Sequence, residues 1–194
     1  MGIKQYLSPK KIAIASITFI AGMLFLGGTN SFFAYTNQTA FCTSCHSMQI
    51  NLQELKETVH YKNASGVQAT CADCHVPKAF FPKVYAKIMA AKDVYHHLIG
   101  TIDTREKFEA HRWEMANSVW DKMRNNDSRE CRSCHEYQNM DLSEQDRSAR
   151  KKHARAPMED KTCIDCHAGI AHTEPDEPED EEDEEDDEVG KGRA

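Results

Sequence analysis

The sequence lacks three features that would point to an ordinary globular fold. No segment shows the alternation of apolar and polar residues that predicts a half-buried β-strand. Aliphatic residues are few outside one N-terminal run, and no cysteine of the eight stands outside a Cys-x-x-Cys-His pentapeptide. The first absence argues against a sheet, and the last leaves no cysteine for a disulfide framework. We therefore predict an all-α protein.

Four copies of Cys-x-x-Cys-His account for every cysteine of the 194-residue chain. Two thiols separated by two residues can reach both vinyl groups of one haem, and the histidine that follows is placed to bind the iron. The pattern predicts four covalently bound haem c groups, attached through Cys42 and Cys45, Cys71 and Cys74, Cys131 and Cys134, and Cys163 and Cys166. The iron ligands within the motifs are His46, His75, His135 and His167.

Other uses of paired cysteines explain this pattern less well. Structural zinc sites also use Cys-x-x-Cys, but zinc does not require a histidine directly after each pair. A disulfide framework would not repeat one pentapeptide, and a thioredoxin-like motif would occur once. The fold class is therefore an all-α multihaem cytochrome c with haem at its core. Porphyrins supply the buried apolar area that the aliphatic residues do not.

A second axial ligand is needed wherever a haem is six-coordinate, the state that suits electron transfer. Six histidines lie outside the motifs: His60, His96, His97, His111, His153 and His172. Not all can be ligands, since a histidine is often an ordinary polar residue. The first motif continues into Ser47-Met48, and a thioether at this position either replaces His46 or binds opposite to it.

The segment from Ile12 to Tyr35 has no charged residue and is long enough to cross a bilayer as a helix. Lys10 and Lys11 precede it, which favours a cytoplasmic N-terminus (residues 1–11) and export of the rest. A cleaved signal peptide is the alternative, but no good small-x-small site follows the apolar run. We predict a transmembrane anchor at 12–35 and a haem domain at 36–173 outside the cytoplasm.

The haem domain is predicted to contain two main helices. One runs from about Pro82 to Ile99, and its apolar residues recur every three or four positions as an expected buried stripe: Phe81, Val84, Ile88, Ala91, Tyr95 and Ile99. The other runs from about Thr104 to Arg124, with Asp103 or Thr104 as its cap and one apolar side formed by Phe108, Met115, Val119 and Met123. Spacing of the motifs suggests two di-haem halves.

The net charge of −7 comes from the C-terminal end. Residues 174–194 hold 13 acidic side chains, which leaves 22 basic against 18 acidic residues in the remainder of the chain. Such a run of like charges without apolar residues predicts a disordered, solvated tail. A solubility role is the simple interpretation, and docking to a basic partner is the alternative.

The sequence resembles the NapC/NirT family of membrane-anchored tetrahaem quinol dehydrogenases over about residues 10–173. The resemblance is carried by Phe-Cys-Thr-Ser-Cys-His-Ser-Met at 41–48 and Val-His-Tyr at 59–61. It continues through 64–67, 71–77, 102–104, 107–112 and 126–131, and ends in Cys-Ile-Asp-Cys-His-Ala-Gly-Ile-Ala-His at 163–172. The acidic tail is not part of the family pattern.

The resemblance implies which residues act at each haem. It makes Met48 a ligand of the first haem, leaves release of His46 open, and makes His60, His153 and His172 distal ligands of the others. It also places Asp93 and Lys87 beside quinol as the catalytic pair, although ordinary surface roles, such as an ion pair between Asp93 and His97, remain open for residues of this type.

The implied function is oxidation of menaquinol or ubiquinol, with electron transfer to a periplasmic reductase such as nitrate reductase in anaerobic respiration. We expect a bacterial inner-membrane protein with its haem domain in the periplasm. Its expected partners are quinol and a periplasmic reductase or soluble cytochrome, not nucleic acid, and a homodimer is allowed. A relay to other periplasmic or outer-membrane acceptors, a reductase in its own right, and a module that only anchors a reductase are the alternatives.

Overall fold

The computed structural model describes residues 8–178, and these residues are helical or irregular, without a β-strand. The helices are α1 (Pro9–Thr36), α2 (Thr39–Cys42), α3 (Gln49–Lys56), α4 (Cys71–His75), α5 (Phe80–Leu98), α6 (Arg105–Ala110), α7 (Arg112–Asn125), α8 (Arg129–Arg132) and α9 (Arg147–Arg155). Short 3-10 turns occur at His46–Met48, Tyr137–Asn139, Ala156–Met158 and Cys163–Asp165. The all-α prediction is confirmed for this part of the chain.

The chain forms two compact units that divide after Lys92. The first unit contains the motifs at Cys42 and Cys71, and the second contains those at Cys131 and Cys163. This division agrees with the two di-haem halves that the motif spacing suggested. The predicted tail lies mostly at 179–194, outside the described residues, as do residues 1–7 of the basic N-terminus.

Helix α1 covers the predicted anchor and extends it at both ends. Ser8 caps its first turn by accepting a hydrogen bond from the Lys11 N–H at 3.4 Å, and Pro9 occupies the first helical position, where a missing N–H costs nothing. At about 1.5 Å per residue, its 28 residues are longer than a bilayer core is thick. The helix is long enough and apolar enough to cross a membrane, and none of its apolar stretch is buried within residues 8–178.

Helix α5 begins two residues before the predicted start and ends one residue before the predicted end, but its predicted buried stripe is wrong. The exposed fractions of Phe81, Ile88, Tyr95 and Ile99 are 81, 65, 59 and 56%, and Ala86 is the residue of this helix that is buried. A helical repeat identifies residues that share a face, but it does not show that another protein element covers that face.

The single helix predicted from Thr104 to Arg124 is instead two helices, α6 and α7, separated at His111. The backbone of His111 leaves helical geometry, and its Nδ1 lies 2.8 Å from the Lys107 carbonyl oxygen. That carbonyl would accept the His111 N–H in a continuous helix, so the side chain replaces the backbone donor. The predicted cap at Thr104 is confirmed, because its hydroxyl accepts a hydrogen bond from the Lys107 N–H at 3.3 Å.

The core of the second unit lies between α7 and the fourth motif. Trp120, Met123 and Ile164 are buried together, and Trp113 meets Trp120 edge to face with ring centroids 5.9 Å apart. Ile164 lies between the two cysteines of the fourth motif, so burial of this side chain fixes the motif against α7. The predicted apolar side of this region is confirmed, since Phe108 is also buried.

Candidate cofactor-binding site

Each of the last three motifs forms a single helical turn. The Cys131 carbonyl oxygen accepts a hydrogen bond from the His135 N–H at 2.9 Å, and the Cys163 carbonyl accepts one from His167 at 3.0 Å. The second motif is the whole of α4. The turn places the histidine one helical turn after the first cysteine, on the same side of the backbone. The four motif histidines are exposed, and the eight cysteines are partly or fully exposed and are not joined in disulfides.

The first motif is built differently from the other three. Helix α2 ends at Cys42, and a 3-10 turn then runs from His46 to Met48, where the Met48 N–H donates to the Cys45 carbonyl oxygen at 3.1 Å. The Met48 sulfur lies 3.9 Å from the Asn51 amide nitrogen. His46 and Met48 therefore belong to one short turn, and both lie beside the cysteine pair.

A pair of capping boxes holds the second and fourth motifs, a feature that the sequence reasoning missed. Asp73 accepts hydrogen bonds from the Thr70 N–H at 2.8 Å and from its hydroxyl at 2.7 Å. Asp165 accepts the same two bonds from Thr162, at 2.7 and 2.9 Å. These bonds lower the pKa of both carboxyl groups. The repeated Thr-Cys-x-Asp-Cys-His was the available signal, because Thr-x-x-Asp resembles a capping box.

Contact between the first cysteines of two motifs brings those motifs together in the first unit. The Cys42 and Cys71 side chains interact, and this interaction raises the pKa of Cys42 and lowers the pKa of Cys71 to about 6. Helices α2 and α4, which carry these cysteines, pack against each other. The first and second attachment positions are therefore neighbours.

Ser128 links the third and fourth motifs in the second unit. This fully buried residue precedes α8, and its hydroxyl oxygen accepts a hydrogen bond from the Ile164 N–H at 3.2 Å. Its φ of 47° is in the left-handed region, which non-glycine residues adopt only at some cost. Arg124 adds an ion pair, with Nε 3.0 Å from the Asp165 carboxylate. The two motifs are thus connected through the backbone and a side chain.

His153 is the predicted distal ligand whose surroundings are best defined. Its Nδ1 lies 2.7 Å from the Gln145 side-chain oxygen, and its ring centroid is 6.0 Å from that of His167, with 26° between the ring planes. With Nδ1 protonated, His153 would donate to this oxygen, and the lone pair of Nε2 would be left for a metal. The contact therefore suits an iron ligand that binds through Nε2.

Other histidines outside the motifs differ in their surroundings. His60 and His172 are half-buried, and the His60 carbonyl oxygen accepts a hydrogen bond from Ala69 at 2.8 Å, which closes the loop before the second motif. His97, which the ligand prediction omitted, has a buried Nδ1 without a hydrogen-bond partner in the described part of the protein. A buried orphan nitrogen of this kind is a further candidate donor, and only the structure reveals its burial.

The predicted quinol residues occupy contrasting positions on α5. The Lys87 ammonium donates a hydrogen bond to the Thr36 carbonyl oxygen at 2.8 Å, at the C-terminal end of α1. Partial burial lowers the pKa of Lys87. Asp93 is exposed and belongs to the second unit. Lys87 therefore also has a structural role, because a cation stabilises the C-terminus of a helix.

The donor set fits haem and does not fit zinc. Between residues 8 and 178, no three side chains of His, Cys, Asp or Glu converge as a metal cluster would require. The cysteines instead occur in four separate pairs, each with its own adjacent histidine. Thioether attachment of one haem at each pair uses every one of these groups.

Comparison with known proteins agrees with this donor set. The model of the NapC/NirT cytochrome c family, N-terminal region, matches residues 6–177. A protein of Allochromatium vinosum, whose name describes a tetrahaem c-type cytochrome, is 57% identical over 170 residues, or 87% of this chain and 92% of that protein. The cytochrome c-type protein NapC of Escherichia coli K12 is 46% identical over 177 residues, covering 89% of this chain and 88% of the relative.

A third relative is the denitrification system component NirT of Stutzerimonas stutzeri. It is 47% identical over 164 residues, which make up 84% of this chain and 82% of NirT. No solved structure matches the chain. The family match extends over most of the sequence, including the apolar helix and all four motifs, and confirms the expected resemblance. The chain is a c-type cytochrome that belongs to the NapC/NirT family.

Proposed function

We propose that this protein is an inner-membrane tetrahaem cytochrome that oxidises quinol and passes the electrons to a periplasmic reductase. Family membership supports an electron-transfer role, and the name of the Stutzerimonas stutzeri relative places that protein in denitrification. The proposed organisation has a cytoplasmic N-terminus at 1–11, an anchor at 12–35, a periplasmic haem domain at 36–173 and an acidic tail at 174–194.

The four cysteine pairs hold four haem c groups in this proposal. The proposed iron ligands are Met48 or His46 for the first haem, then His75, His135 and His167, with His60, His153 and His172 as distal ligands. Bound haem supplies one-electron oxidation and reduction, and the protein sets its potential through the ligands and their hydrogen bonds. The bond between His153 and Gln145 is one such control, since it fixes the ring nitrogen that faces away from the glutamine.

The position of the first motif beside the end of the anchor is the observation that carries the quinol assignment. Only five residues separate Thr36, the last residue of α1, from Cys42. Lys87 donates a hydrogen bond to the Thr36 carbonyl oxygen at this end of α1. A lipid-soluble donor that reaches the membrane surface would meet the first attachment position there.

Quinol oxidation releases two electrons and two protons, and the proposed catalytic residues accept the protons. Lys87 is suited to orient a quinol oxygen by donating a hydrogen bond, and its lowered pKa makes the neutral, proton-accepting form more accessible. Asp93, an exposed carboxylate, accepts a proton and releases it to water. The oxidised quinone then leaves with both oxygens as carbonyl groups.

The proposal is tested by anaerobic reduction of the detergent-purified holoprotein with a menaquinol analogue, followed by haem absorbance. We expect rapid reduction of the native protein and reduction about 10²-fold slower or worse in Asp93→Asn and Lys87→Gln, the range for loss of an acid–base group. Glu114→Gln on α7 and Lys92→Gln on α5 are matched controls, since both residues are exposed.

Dithionite must reduce every variant fully, which shows that the haems are intact. Failure of quinol to reduce the native protein, while dithionite succeeds, would overturn the proposal and favour a relay supplied by another protein. If quinol reduced a variant and its matched control equally slowly, the roles assigned to Asp93 and Lys87 would be wrong. Quinol oxidation by the native protein would still be supported.

The electron acceptor is proposed as a periplasmic reductase of nitrogen-oxide respiration, such as nitrate reductase. Other periplasmic or outer-membrane acceptors are compatible with the same first step. A reductase activity of the protein itself would require a haem with an open axial position, and nitrite binding to the reduced protein would reveal it. The proposal is also compatible with a homodimer, but it does not require one.

A further inference from the structure

Helix α9 presents the most concentrated positive charge of the second unit. Its nine residues, Arg147–Arg155, contain five basic side chains and no acidic one. The basic residues Arg147, Arg150, Lys151, Lys152 and Arg155 are all exposed. Ala149 and His153, one turn apart on the opposite side, are the half-buried residues of this helix. The outer side of α9 is therefore a continuous basic face.

Little of this charge is neutralised inside the described part of the protein. Arg155 forms one weak ion pair with Glu159, at 3.6 Å and largely exposed. Arg150 donates to the carbonyl oxygens of Ser143 and Gln145, which carry no net charge. Within residues 8–178, neither Arg147 nor Lys151 forms an ion pair. Five positive charges on one short helix repel one another, so an anionic occupant would stabilise them.

The same chain carries a segment of complementary charge and suitable length. Residues 179–188 are ten consecutive aspartates and glutamates, and they follow directly after the last described residue, Pro178. Ten residues in extended form reach at most about 33–36 Å, whereas α9 is about 13 Å long. The segment is long enough to lie along the whole basic face.

Contacts before the segment limit how far its origin can lie from α9. The ring of His153 on α9 packs on that of His167, and only eleven residues separate His167 from Glu179. Arg112 donates a hydrogen bond to the Thr173 carbonyl oxygen at 2.8 Å, which fixes the chain six residues before the acidic run. A segment tethered over so short a distance has an effective concentration on the order of millimolar.

We propose that residues 179–188 bind in cis to the basic face of α9. The interaction surface accepts an acidic polypeptide, and the segment of the same chain is its occupant. Since the face and a partner's acidic surface would attract each other in the same way, the segment competes with acidic proteins for α9. This contact is electrostatic and exposed, so salt weakens it as the Debye length falls from about 30 Å at 0.01 M to about 3 Å at 1 M.

A labelled synthetic peptide with the sequence of residues 179–188 is the probe for this surface. The holoprotein and a form that ends at Pro178 are titrated with it at low salt. If the acidic segment covers the basic face about 90% of the time, the apparent affinity of that face for the peptide is about tenfold weaker than that of an uncovered face. We therefore expect the shortened protein to bind the peptide at least about tenfold more tightly than the full chain, with the difference lost at high salt.

Variants of the shortened protein locate the binding face. Lys151→Gln combined with Lys152→Gln should abolish most of the peptide binding, while Lys56→Gln combined with Lys62→Gln, two exposed lysines of the first unit, should not. Equal peptide binding by the full and shortened chains would overturn cis docking, and so would undiminished binding by the α9 variant. If neither chain bound the peptide, the proposal would be overturned, and the tail would only be solvated.

Zero-length carbodiimide coupling of the full-length holoprotein gives an independent readout. It should join carboxylates of 179–188 to Lys151 or Lys152 rather than to Lys56 or Lys62, as mapped by mass spectrometry. In a mixture of unlabelled and ¹⁵N-labelled protein, the coupled peptides should come from one isotopic form. Mixed-isotope products would overturn the cis arrangement in favour of docking between copies.

Discussion

The two units of this protein contain the same motif arrangement but stabilise it by different means. In each unit the second motif begins with Thr-Cys-x-Asp-Cys-His, and in each the Thr–Asp bonds close the turn with nearly equal distances. The fourth motif then packs through Ile164 on a tryptophan core, whereas Ala72, at the same place in the second motif, is only half-buried. Local hydrogen bonds form the turn, and tertiary packing fixes where it lies.

The first unit relies on contacts near the anchor instead of on an aromatic core. Its second motif meets the first through Cys42 and Cys71, and Lys87 ties α5 to the end of α1. Its buried apolar side chains, Ile50, Leu55 and Ala86, are small or aliphatic. We therefore expect the two units to respond unequally to changes in packing and equally to changes in the capping boxes.

Replacement of Trp120 by Ala should have the largest effect. Loss of a buried tryptophan side chain costs about 3–5 kcal/mol, and the cavity would lie directly against Ile164. The free energy of unfolding, measured by guanidinium titration of the holoprotein with far-UV circular dichroism, should fall by that amount. Trp120→Phe should lose less. A normal stability for Trp120→Ala would contradict the importance of this core for the second unit.

Replacement of Ser128 by Ala should have the next largest effect. The change leaves the Ile164 N–H without its buried acceptor, at a cost of about 1–3 kcal/mol. The same titration measures the loss, and Ser118→Ala on the exposed side of α7 is the control. If both serine variants were equally stable, the third and fourth motifs would not depend on this hydrogen bond.

Removal of the two capping threonines tests what the units share. Thr70→Ala and Thr162→Ala should each cost about 0.5–2 kcal/mol, the range for lost N-caps. Thr→Ser at each position keeps the hydroxyl and is the matched control. Hydrogen exchange of amides in the motif turns, followed by mass spectrometry, reports each site separately. A large effect at only one threonine would show that the boxes are not equivalent.

The smallest expected effect is a pH dependence of α9 that α3 does not share. Asp146 caps α9 by accepting hydrogen bonds from Ser148 and Ala149, which lowers its pKa, while no side chain caps α3. A lowered pKa adds stability above the unfolded value of about 3.9, and this is lost as pH falls through the folded pKa. Acidification below about pH 4 should therefore increase exchange in α9 relative to intrinsic rates.

Asp146→Asn is the control for that measurement, because asparagine can still cap the helix but does not titrate in this range. Its α9 should show no such pH step, while α3 should behave alike in both proteins. An unchanged step in the asparagine variant would assign the effect to another carboxylate.

Sequence alone predicted features that depend on local composition. The uncharged run at 12–35 predicted α1, the cysteine spacing predicted the four attachment positions, and Thr104 was a recognisable cap. The break at His111 could not be predicted, because it depends on a side chain that competes for one carbonyl group. Burial along α5 was wrong for a related reason, since a periodic pattern carries no information about what lies opposite.

The candidate site was predicted as a list of groups, not as an arrangement. The motif residues follow from spacing, but the contact between Cys42 and Cys71 and the link from Ser128 to Ile164 join residues about 30 or more positions apart. Such pairs depend on the path of the chain in space. The predicted roles of Asp93 and Lys87 and the distal ligands stay predictions.

The Thr–Asp capping boxes have a consequence for the order of assembly. Every bond in them joins two protein groups, so the turn can close before any covalent attachment. Closure of the turn before attachment would bring both thiols and the histidine together, and part of the conformational entropy of the turn would then be lost before a haem is joined. Maturation of the second and fourth motifs should therefore begin from a template that the polypeptide builds for itself.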